Sequence, residues 1–72
     1  MTAKELHAAA FHPHRNPRSA QYKEGALYIL RLRCGEIEKQ PHPYKQGTAL
    51  SDAWYSGCVE GHAIYRSVTD AA

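Results

Sequence analysis

Apolar and polar positions along the chain fall into three stretches with helical spacing, separated by two that cannot be helical. The first opens on Thr2-Ala3-Lys4-Glu5, a capping box with Thr as the N-cap and Glu at N3. Ala8, Ala9 and Ala10 follow, so a short helix is expected over 3–10. His12-Pro13-His14-Arg15-Asn16-Pro17 is a linker, because its prolines and Asn stop a helix. Ser19 is the next N-cap, and the segment after it runs to Gly35, a residue type that suits a helix C-terminus. Ala20, Leu27, Leu30 and Cys34 make one apolar stripe with Ala26 beside it, while Tyr28, Ile29 and Leu32 lie off it. A helix apolar on more than one side has a second contact to make.

Residues 36–47 connect this helix to the last one, and Pro41-His42-Pro43-Tyr44 makes that connector stiff. Thr48 is the third N-cap. Leu50, Trp54, Gly57, Cys58, Gly61, Ile64 and Tyr65 share one face of the helix that follows, which should reach about Arg66. Two glycines on that face each cost about 1 kcal/mol of helix propensity. They are explained if a second helix, carrying Gly25, crosses close by, with Trp54 and Tyr65 bounding the contact. The expected fold is all-α: an antiparallel pair of helices, 19–34 and 48–66, joined by a Pro-rich connector. In domain terms, 1–17 is an N-terminal arm with a short helix, 18–66 is the two-helix unit and 67–72 is a frayed tail.

Seventy-two residues allow one small core. The net charge is +2, but residues 1–33 carry +4 and residues 34–72 carry −2, which gives the first half a basic bias. Two cysteines do not make a disulfide framework, and no apolar run reaches the length of a membrane span. No signal sequence is evident at the N-terminus. A cytoplasmic protein with reduced thiols is expected. Cys34 and Cys58 both fall on core stripes, which would bring them near each other.

The chemistry-bearing residues do not assemble into a known catalytic motif. Cys58 and His62 stand four apart on one helix, the only spacing here that suits a ligand pair or a nucleophile with its base. No orienting third group accompanies them, so neither an enzyme nor a cofactor or metal is expected. Nucleic-acid binding suits the residues better. Arg15, Arg18, Lys23, Arg31, Arg33 and Lys45 are candidates for phosphate contacts, with Tyr22 and Tyr44 as stacking groups. A protein–protein module is the alternative, with Tyr28, Ile29, Leu32, Tyr55 and Val59 as a homodimer or partner surface. It would be a small inhibitor or adaptor, such as a phage or mobile element encodes.

Tyr22-x-x-Gly25, then Pro43-Tyr44, then Trp54-x-x-Gly57 with Glu60 behind it, resembles the ribosome modulation factor family of small proteins. The resemblance covers about residues 18–66. It departs from the family at His42, where a Cys precedes Pro-Tyr, and at Cys58, where a second Trp stands. The segment between Gly25 and Pro43 is longer by about two helical turns. The resemblance implies a two-helix protein that binds the small ribosomal subunit and its RNA, blocks message docking and pairs ribosomes in starved cells. Independently of the resemblance, the apolar stripe makes Gly25, Trp54, Gly57 and Gly61 the structural residues expected at the helix crossing.

Overall fold

Three hydroxyl caps start three helices. Thr2 Oγ1 accepts from Glu5 N at 3.2 Å while the Glu5 carboxylate accepts from Thr2 N at 3.1 Å, closing the capping box of α1 (Ala3–Ala10). Ser19 Oγ accepts from Tyr22 N to begin α2 (Ala20–Arg33), and Thr48 Oγ1 accepts from Ser51 N to begin α3 (Ala49–Thr69). The computed structural model describes residues 1–70, and these are all-α, without strands. Helix α2 ends in a Schellman motif. Gly35 takes a left-handed φ of 74°, Gly35 N donates to Leu32 O and Glu36 N donates to Arg31 O. The tail expected to fray from 67 instead continues α3 to Thr69, because Val68 packs on the core beside Leu6 and Leu30. Ala71 and Ala72, the end of that tail, lie outside the described residues.

Helices α2 and α3 touch backbone to backbone. A β-carbon on Gly57 would overlap the Tyr22 carbonyl oxygen, and one on Gly25 would overlap that of Trp54. At Gly61 it would come within 2.8 Å of Ala26 O and 2.9 Å of Ile29 Cβ. The pairs Tyr22–Gly57, Ala26–Gly61 and Arg33–Tyr65 advance together along both helices, so the two run in the same general sense. This corrects the antiparallel expectation. The connector explains it: the chain turns at Gly35 and travels back along α2. Gln40 N donates to Tyr28 Oη at 3.0 Å, and further on Tyr44 Oη donates to Glu24 Oε2 at 2.6 Å. Helix α3 therefore starts near the beginning of α2 rather than at its end.

The crossing divides the core. On one side Ala3, Leu6 and Leu30 pack with Leu27, Cys34, Ile64, Tyr65 and Val68, so α1 closes that face. On the other, Ile29, Trp54 and Cys58 pack with Tyr28, Leu32 and Tyr44 beneath the returning connector. This answers why α2 is apolar nearly all round, and it corrects the stripe. Ile29 is buried and Ala20 exposed, because α2 is covered from two directions. Leu50 is also exposed, and Ser51 takes the inward position one residue later. Cys34 and Cys58 fall in different clusters, one on each side of the crossing. The arm folds onto the pair. Ala3 N donates to Glu36 Oε2 at 2.8 Å, the His7 ring bonds Lys23 O at 2.9 Å, and Arg15 pairs with Glu60 of α3.

Candidate binding surfaces

The six cations proposed for phosphate contact do not share one face. Three gather where the arm meets α2: Arg15, Arg18 and Lys23 line a shallow cavity of about 170 Å³ with His12 and Asn16. Of these, Arg15 is committed elsewhere. It donates to Ala10 O at 2.9 Å, pairs with Glu60 and lies 4.5 Å over the Phe11 ring, so it is a strut for the arm. Arg18 is exposed and stacks 4.9 Å over the Tyr22 ring, and Lys23 is exposed beside it. Arg33 belongs to another cluster at the far end of α2, 4.7 Å over Tyr65 and within 3.3 Å of His62 Nδ1. Arg31 and Lys45 are exposed.

The two tyrosines named for stacking also separate. Tyr22 is half-buried, held edge-on to Phe11 and covered by Arg18. Tyr44 gives its hydroxyl proton to Glu24, and that hydrogen bond pushes its pKa up. The larger aromatic assembly lies around His42. The imidazole stacks on Tyr55 at 4.5 Å, sits 4.8 Å from Trp54, and hydrogen-bonds the buried Ser51 Oγ through Nε2 at 2.9 Å. Its Nδ1 is buried without a protein partner among the described residues. A ring protonated on Nε2 donates to Ser51 and leaves only a lone pair unmatched, which costs less than an unmatched N–H. His42 is thus the wedge between connector and α3. The sequence signal for it was present, since Ser51 precedes Trp54 by three and so shares its helix face.

Beside this wedge a groove of about 480 Å³ opens between α2, the connector and α3. Tyr28, Ile29 and Leu32 form one wall, with Tyr55, Cys58 and His62 opposite. Four of the five apolar residues singled out as a partner surface therefore meet in one place, and the fifth, Val59, is 68% exposed one turn beyond Tyr55.

Cys58 and His62 both reach this groove, but their chemistry does not match a nucleophile and base. Burial pushes the Cys58 thiol up to about 11, so it stays protonated near neutral pH. His62 is shifted down, first by partial burial and then by Arg33 and Arg66, and its Nδ1 faces Arg33. Among the described residues no three His, Cys, Asp or Glu side chains gather as a metal would need. None of the described helices is long and apolar enough to cross a membrane. No family model, curated protein or solved structure matches the chain.

Proposed function

We propose that this chain is a non-enzymatic binding protein that resembles ribosome modulation factor and engages ribosomal RNA on the ribosome in the cytoplasm, modulating translation. One observation carries the reading. The residues of the resemblance, Tyr22-x-x-Gly25 and Trp54-x-x-Gly57, make one reciprocal contact in which each motif's first carbonyl rests on the other's glycine. The spacing picked out by the resemblance thus coincides with a tight helix contact in this chain. Arg18 and Lys23, exposed where the arm meets α2, are the cations assigned to phosphate contact, and Pro41 and Pro43 stiffen the connector that Tyr28 and Glu24 tie to α2. The test is sedimentation with purified ribosomes across a salt series. Co-sedimentation that fades as salt rises supports the reading, through counterion release. Absence of the protein from the ribosome pellet at low salt refutes it.

A second reading, a protein–protein module, is favoured by the apolar groove between α2 and α3.

A further inference from the structure

The geometry points to the groove between α2, the connector and α3 as a docking site for an acidic, amphipathic helical segment of a partner protein. Two features fix that occupant. The first is shape. Tyr28 and Leu32 on one wall are spaced one helical turn apart, about 6 Å along the axis, and Tyr55, Cys58 and His62 on the other follow at i, i+3 and i+7. Rungs at that spacing receive apolar anchors at i, i+3 or i+4 and i+7 of a helix laid along the groove. The site is also open to solvent, with Tyr55 45% exposed, so it suits an elongated partner rather than an enclosed small molecule.

The second feature is charge. Lys39 lines the groove beside two imidazoles, His42 and His62, and no carboxylate does. Arg33 stands 3.3 Å from His62 at its far end, and Arg66 is close enough to His62 to depress its protonation. A partner with Asp or Glu flanking its apolar anchors meets Lys39, Arg33 and Arg66 here, whereas the same three cations repel a basic helix. The walls are aliphatic as well as aromatic: Ile29 and Leu32 offer no stacking face, which favours a peptide over a nucleic acid. This inference is independent of the ribosome reading, whose proposed phosphate contacts, Arg18 and Lys23, do not line this groove.

Trp54 is the only tryptophan and lines the groove, so its emission reports occupancy directly. The full chain is panned against displayed random peptides of about 16 residues, long enough for four helical turns. The winners are titrated while Trp54 fluorescence is read. The expected winners carry apolar residues at helical spacing with flanking acids, shift the emission, and bind at least about tenfold more weakly to Lys39→Glu or Tyr55→Ala. Both sites are exposed, and circular dichroism confirms that these variants fold. Arg18→Ala leaves binding unchanged. Basic winners, no enrichment over Tyr55→Ala, or a single-stranded oligouridine that shifts Trp54 when the peptides do not, each overturns the proposal.

Discussion

The carbonyl oxygen of Tyr22 occupies the place where a Gly57 side chain would begin. Because the obstacle is backbone, it cannot swing aside as a flexible side chain would. Gly57→Ala gains about 1 kcal/mol of helix propensity, but the backbone overlap outweighs it, and the variant should be destabilised by roughly 2–4 kcal/mol. Gly57→Leu should unfold a domain whose whole stability is on the order of 4–11 kcal/mol. Gly61→Ala should cost less than Gly57→Ala, since part of its obstacle is the Ile29 side chain. Urea unfolding of the three variants gives the order, and a Gly57→Leu protein as heat-resistant as its parent would contradict this architecture.

If ribosomal RNA is the partner, exposed and committed cations should behave differently. Arg18→Ala and Lys23→Ala should each lower the salt slope of ribosome binding by about 1 with little change in stability. Arg15→Ala should chiefly destabilise, because its guanidinium already serves Ala10 O and Glu60. Salt-dependent sedimentation beside thermal melts separates the two behaviours.

The Arg15–Glu60 pair, about a quarter exposed, ties the arm to α3. Glu60→Gln should cost on the order of 1 kcal/mol and loosen residues 1–17 more than the helix crossing. Amide exchange rising in α1 and the linker, but unchanged at Gly57 and Cys58, is the expected pattern.

Thiol labelling should distinguish the cysteines. Cys58 is 8% exposed with its ionisation suppressed to about 11, whereas Cys34 is half-buried at the edge of a cleft with Met1 and Thr69. An alkylating reagent at pH 8 should modify Cys34 first, and modification of Cys58 should follow unfolding. Mass spectrometry of partly labelled protein reads the order.

His62 prefers to be neutral in the folded protein, its pKa lowered from 6.5 by partial burial and by Arg33 and Arg66. The unfolded chain therefore binds more protons as pH falls through 6.5, and stability declines in that direction. It is fully retained above 6.5 and reaches its lower level once the folded ring is also charged. His62→Gln should flatten this part of the stability–pH profile, measured by urea midpoints between about pH 5 and 7.5.

Local chemistry made the helix starts legible. Thr2, Ser19 and Thr48 are followed by residues whose N–H groups need acceptors, and each cap forms as its sequence implies. Gly35 likewise marks a left-handed stop. The direction of α3 was not legible, because it depends on bonds between distant residues such as Tyr28–Gln40 and Glu24–Tyr44. The rotation of α2 escaped for a related reason. A stripe drawn for one partner misplaces Ile29 when a helix has two. Among the cations, sequence gave the charges but not the ion pair that removes Arg15 from the free set.

The returning connector also bears on how fast the protein acquires its structure. A helical hairpin closes from its turn outward, each contact bringing the next pair within reach. Here Arg33 meets His62 across 29 positions and Arg15 meets Glu60 across 45, so no short turn can start the process. The entropy of closing that loop falls due before α2 and α3 reward it, and refolding should be slower than for a helical hairpin of equal length.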